Sequence, residues 1–140
     1  MRFPRTIPPL LLTLLLPLTP QAEPVVIAHS GVADSALSGQ DVKNIFLGKK
    51  SRWSNNESIQ FAIADTNLPF HEDFLKNYLQ RNANQFTLHW RKAVFTGTGA
   101  EPKKFDDATA LLDFVRSTPG AISYIDNSLP HDGVKVLTIN

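Results

Sequence analysis

An α/β fold, one mixed sheet flanked by helices, is what this 140-residue sequence predicts. Three observations predict it. Runs rich in β-branched residues recur along the chain. Between them lie segments whose apolar residues repeat at helical spacing. The two kinds of segment interleave, and a sheet with helices packed on its faces buries both.

Taken in order, the first 22 residues stand apart from the rest. Arg2 and Arg5 make a short basic start, an apolar run covers Leu10 to Leu16, and Pro17 and Pro20 precede Ala22. That order is the one a secretory signal peptide needs, with the cut expected after Ala22. The apolar run falls short of the ~20 residues that span a bilayer. A lipoprotein is excluded, because no cysteine is present to be acylated. The expected organisation is therefore a signal peptide over 1–22 and one domain over 23–140, placed in the periplasm. Loss of Arg2 and Arg5 leaves 12 of the 14 Lys and Arg against 13 Asp and Glu. So neutral a domain gives no global electrostatic case for nucleic acid. The lack of cysteine suits an exported chain and removes thiol chemistry.

Within the domain, Pro24–His29 reads as a strand, and Ser30–Ser35 as a polar loop. Ser38 starts a helix, with Asp41 three residues on as a variant capping box and Val42, Ile45 and Phe46 on its buried side. Gly48 ends that helix, with Lys49 and Lys50 near the negative end of its dipole. Ser51–Ser58 is a loop carrying Trp53. Ile59–Ala64 is a second strand, and Asp65–Pro69 is turn chemistry leading into a helix marked by Phe70, Phe74, Leu75 and Tyr78. A further helix starts near Asn84 and carries Phe86, Leu88, Trp90 and Val94. The glycine-rich stretch Phe95–Ala100 follows, extended by Glu101–Lys104. Asp106 caps a helix with Leu111, Leu112 and Val115 on one face, stopped by Thr118-Pro119-Gly120. Ala121–Ile125 and Val134–Ile139 are the last strands.

Chemistry is sparse. His29, His71, His89 and His131 show no metal-ligand spacing, so neither a metal nor a cofactor is predicted. His71-Glu72-Asp73 reads as solvent-facing, His89 as partly buried, and His29 as the one histidine placed to donate to a ligand. No Gly-x-Ser-x-Gly elbow occurs, and no catalytic constellation emerges. Thr96-Gly97-Thr98-Gly99 has two readings: an anion-holding loop built from backbone N–H groups and hydroxyls, or an ordinary turn between helices.

Three stretches carry a resemblance. Ser38–Lys49, with Ile45-Phe46-Leu47-Gly48-Lys49 and then Trp53, resembles a segment of the periplasmic phosphate-binding proteins of ABC transporters. Thr118-Pro119-Gly120-Ala121-Ile122-Ser123-Tyr124 is similar to their Pro-Gly-Ala-Ile-Gly-Tyr stretch. Phe74–Leu79 looks like the helix after their phosphate loop. The resemblance implies a single lobe of a type II periplasmic binding protein. It also implies phosphate or another small anion as ligand. Leu68-Pro69-Phe70 stands where the family has Ser-Gly-Thr after an Arg, and Asp65 adds a negative charge, so affinity is expected to be weak.

The expected ligand site combines Ser30 and Gly31, then Asp65, Thr66 and Asn67, then Thr96, Gly97, Thr98 and Gly99, with Ser123 and Tyr124 contributing. Its premise is that the first two strands are parallel neighbours whose loops open on one sheet edge. Two functions stay open: a periplasmic solute-binding-like module, or an accessory protein docking on a membrane transporter or sensor. The second requires an exposed apolar patch, around Trp53 or Phe95.

Overall fold

The computed structural model describes residues 2–6, 8–16 and 23–140. The cut expected after Ala22 lies outside the described residues. Leu10 to Leu12 and Leu14 to Leu16 stand exposed and join no helix or strand.

The elements are β1 (Pro24–His29), β2 (Ala36–Leu37), α1 (Gly39–Phe46), β3 (Gln60–Ala64), α2 (Pro69–Phe74), α3 (Ala83–Phe95), β4 (Lys103–Phe105), α4 (Ala108–Ser117), β5 (Ala121–Asp126), β6 (Val134–Val136) and β7 (Thr138–Ile139). A π-helical segment, Leu75–Leu79, continues α2. The main sheet has the order β4-β3-β5-β1-β6, and β2 pairs with β7 in a small second sheet. The fold is mixed α/β, as the interleaved periodicities predict.

Local chemistry accounts for most boundaries. The Ser38 hydroxyl accepts the Asp41 N–H at 3.0 Å, which caps α1. Asn82 and Gln85 form a reciprocal capping box that starts α3. Asp107, not Asp106, caps α4: its carboxylate accepts the Thr109 N–H at 3.1 Å. The strand expected over 134–139 is divided, because β6 pairs with β1 while β7 leaves to pair with β2. The short strands β2 and β4 carry too few residues for a period-2 signal and are not foreseen in the sequence.

One expectation about topology fails. The first two long strands are not parallel neighbours. β5 lies between β1 and β3, antiparallel to β1 and parallel to β3. β1 and β3 therefore run in opposite directions, and their following loops open at opposite ends of the sheet.

Phe61, Ile63, Ile122 and Tyr124 share one sheet face. Aromatic rings of α1, α2 and α3 pack on that face: Phe46 on Phe61, Phe74 on Tyr124, and Trp90 beside Phe61. α4 covers the other face, where Phe114 meets Phe105. Trp53 is buried, and its indole N–H donates to the Gly120 carbonyl at 3.0 Å. Gly120 has φ +77, and a Cβ there would lie 2.3 Å from the Ser58 carbonyl oxygen. The two motifs that carry the resemblance thus interlock as packing: Trp53 follows one and Gly120 belongs to the other.

Candidate functional site

β3, β4 and β5 run parallel, so their carboxyl ends share one end of the sheet, where open α/β folds place ligands. The loops after β3 and β4 are stitched together there. The Asp65 N–H donates to the Phe105 carbonyl at 2.8 Å, and Asn67 Nδ2 donates to the Asp106 carbonyl at 3.2 Å.

Both Thr66 donors of this loop are already occupied. Asp65 Oδ1 accepts the Thr66 N–H at 2.5 Å and the Thr66 hydroxyl at 3.1 Å. These bonds, the hydroxyl's foremost, hold the Asp65 carboxyl below the usual carboxylate range, with Lys104 assisting. An anion arriving here would meet a carboxylate sitting on the amide and hydroxyl it needs.

Below the loop lies a buried polar pair. The Tyr124 hydroxyl accepts the Ala64 N–H at 3.0 Å and sits 2.6 Å from His71 Nδ1. Which of the two groups donates depends on the His71 tautomer. Burial, with the Lys104 charge adding, pushes the His71 pKa down to about 4. Burial also pushes the Tyr124 hydroxyl up. The expectation of a solvent-facing His71 is corrected: the residue is buried on the inner face of α2. The signal was in the sequence, since His71, Phe74, Leu75 and Tyr78 follow the i, i+3, i+4, i+7 spacing of one helix face.

Of the predicted site residues, the structure brings only Asp65, Thr66 and Asn67 together at this end with open access. Ser123 and Tyr124 lie beneath them in the interior: the Ser123 hydroxyl donates to the Ala62 carbonyl at 2.8 Å, and neither residue is exposed. Ser30 and Gly31 follow β1 and so sit at the far end, where the Gly31 N–H donates to His29 Nδ1 at 3.0 Å. Thr96–Gly99 closes the carboxyl end of α3. The Thr96 hydroxyl donates to the Lys92 carbonyl at 2.8 Å, and the Thr98 hydroxyl to that of Ala93 at 3.3 Å. These hydroxyls are turned back onto carbonyls in the last turn of α3 rather than outward to a ligand. The ordinary-turn reading accounts for this stretch.

A groove that the sequence reading did not place runs between α3 and the edge strand β4. It encloses about 410 Å³ over Ile63, Phe86, Trp90 and Val94. Phe95 lines it while remaining 93% exposed. Among the described residues no group of three His, Asp or Glu could hold a metal ion, and no helix is long and apolar enough to cross a membrane.

No protein-family model matches the sequence, and no curated protein matches it. Solved structures match in fold. An ABC-type phosphate transport receptor from Vibrio cholerae aligns with a TM-score of 0.65 at 9% identity, over 84% of this chain and 46% of its own. A protein described as a phosphate ABC transporter substrate-binding protein with bound phosphate, from Clostridium perfringens, aligns at 0.65 and 17% identity, over 84% and 45%. PstS from Borrelia burgdorferi aligns at 0.63 and 13% identity, over 85% and 47%. The chain spans about half the length of these proteins. At such identities the likeness is one of fold: a periplasmic-binding-protein-like lobe, whose neighbours are binding proteins rather than enzymes.

Proposed function

We propose that this chain is an exported, solute-binding-like module that holds small anions such as phosphate weakly, at the Asp65–Asn67 end of its sheet. The fold supports the class of function, and the leader supports a periplasmic location. The observation that carries the weak affinity is the Asp65 carboxylate, which accepts the Thr66 N–H and hydroxyl. Charge-assisted donors make strong anion sites, and here a carboxylate stands among neutral ones. Calorimetric titration with phosphate, sulfate and small carboxylates tests the reading. The wild type should bind phosphate more weakly than micromolar, and Asp65→Asn should tighten it by removing the competing charge. Micromolar or tighter binding by the wild type overturns the weak-site claim.

A second reading, an accessory protein docking on a membrane transporter or sensor, is favoured by Phe95. A phenylalanine 93% exposed beside a half-exposed Val94 is the kind of patch that partners cover. Trp53, the other residue considered for such a patch, is buried and takes no part in it. A photo-cross-linking side chain at position 95 should then couple to a membrane protein in intact cells, and Val94→Asp should abolish the adduct.

A further inference from the structure

A second cleft, about 630 Å³, lies at the opposite end of β3 from Asp65. It is bounded by the turn after α1, the start of β3, the outer half of α3 and the segment 98–103. Its floor is aromatic: Phe61 and Trp90 lie with ring centroids 5.4 Å apart, and Phe114 closes the far side. Trp90 is held firmly. Its N–H donates to the Phe46 carbonyl at 3.2 Å, which turns the polar edge of the indole inward. Gly48 and Gly99 close on its six-membered ring, where added Cβ atoms would come within 2.7 and 3.0 Å. Two segments about fifty residues apart, the Gly48-Lys49 turn and the Thr96–Gly99 turn, therefore meet on one indole.

The rim is cationic. Lys49, Lys50 and Lys103 line it against one carboxylate, Glu101. Lys50 lies 3.5 Å from Asp41, whereas among the described residues no carboxylate comes within 4.0 Å of the Lys49 or Lys103 ammonium. The Lys103 ammonium sits 5.1 Å from the Phe114 ring centroid, so this rim charge is held at the side of the cleft that Phe114 closes. Ser51 and Gln60 add neutral hydrogen-bonding groups. An apolar floor with a few convergent polar groups, in a volume of this order, is the usual build of a small-molecule site.

We propose that this cleft binds an organic anion: a flat or elongated apolar body laid on Phe61 and Trp90, with its carboxylate or sulfonate head between Lys49 and Lys103. Inorganic phosphate does not suit it, having no apolar body to cover the aromatic floor. The site is separate from the Asp65 loop, so it does not depend on the anion reading above.

The test uses the aromatic sulfonate anilinonaphthalene sulfonate as a fluorescent probe, titrated into the purified protein. Saturable binding at one site per chain is expected. Lys49→Glu with Lys103→Glu, both on exposed side chains, should weaken it by roughly tenfold or more, the loss of about 1.4 kcal/mol. Decanoate should displace the probe and phosphate should not. Phe95→Asp, in the groove on the other side of Trp90, should leave binding unchanged. The proposal is overturned by absence of saturable binding, by insensitivity to the lysine substitutions, by loss of binding in Phe95→Asp, or by displacement with phosphate alone. Circular dichroism of each variant checks that the fold is intact.

Discussion

At the scale of single residues, buried aromatics contribute to the stability and His71 contributes to its pH dependence. Trp53 is 3% exposed and ties the loop before β3 to the turn before β5 through the Gly120 carbonyl. Trp53→Ala should cost about 3–5 kcal/mol, read by chemical denaturation. His71 is neutral in the fold, with its pKa lowered from 6.5 to about 4. The unfolded chain therefore binds more protons than the folded one between those values. Stability from this residue is complete above about pH 6.5 and is lost as pH falls toward 4. The whole span is worth about 3 kcal/mol. His71→Gln keeps a hydrogen-bonding partner for the Tyr124 hydroxyl and cannot titrate. Its urea midpoints at pH 4.5 and 7.0 should differ by less than those of the wild type. Equal pH slopes in the two proteins would remove His71 from this account.

At the scale of elements, the end of the α2 helix is the irregular feature. The π-helical segment closes with the Arg81 N–H donating to the Leu75 carbonyl at 3.2 Å, and Gln80 adopts φ 51. A left-handed conformation is costly for a residue with a Cβ and free for glycine. Gln80→Gly should therefore stabilise the fold by about 0.5–1 kcal/mol, seen as a higher Tm. A lower Tm would mean that the Gln80 side-chain bond to the Asn77 carbonyl outweighs the relief. The end of α3 behaves in the opposite way, because its threonine hydroxyls add second hydrogen bonds to the Lys92 and Ala93 carbonyls, which already accept backbone N–H groups. Thr96→Ala with Thr98→Ala should speed amide exchange in the last turn of α3 and leave phosphate binding unchanged. A loss of phosphate affinity in this variant would return the stretch to the anion site.

At the scale of the molecule, the described residues before β1 join no helix or strand. Pro24 pairs with Asp126, and the Glu23 carbonyl accepts the Asn127 N–H at 2.9 Å. The apolar run before it stands exposed. Exposed leucines in such a run are a liability in a finished protein, which fits removal during export. Mass spectrometry of protein recovered from the periplasm should show Glu23 as the first residue. Full-length protein in the cytosol would overturn both the leader and the location.

Sequence alone determined whatever depends on neighbours along the chain. Helix starts at Ser38 and Pro69, the stop at Pro119-Gly120, and the strands at 24–29 and 121–125 follow from capping, backbone stiffness and period, all of which act over a few residues. The interlocking Gly48…Trp53 and Gly120…Tyr124 segments were legible as a resemblance for a related reason: close packing admits few residue types at each position. Tertiary structure alone decided where those pieces went. The sequence carries no local mark that β5 inserts between β1 and β3, yet that pairing reverses β1 and sends Ser30 and Gly31 to the end opposite Asp65. Nor does it mark that Ser123 and Tyr124 turn inward, or that Lys49, Trp90 and Lys103 meet around one cleft. Strand order is set by long-range pairing and burial, which are energies of the whole fold, and a binding site made from strand ends inherits its composition from that order.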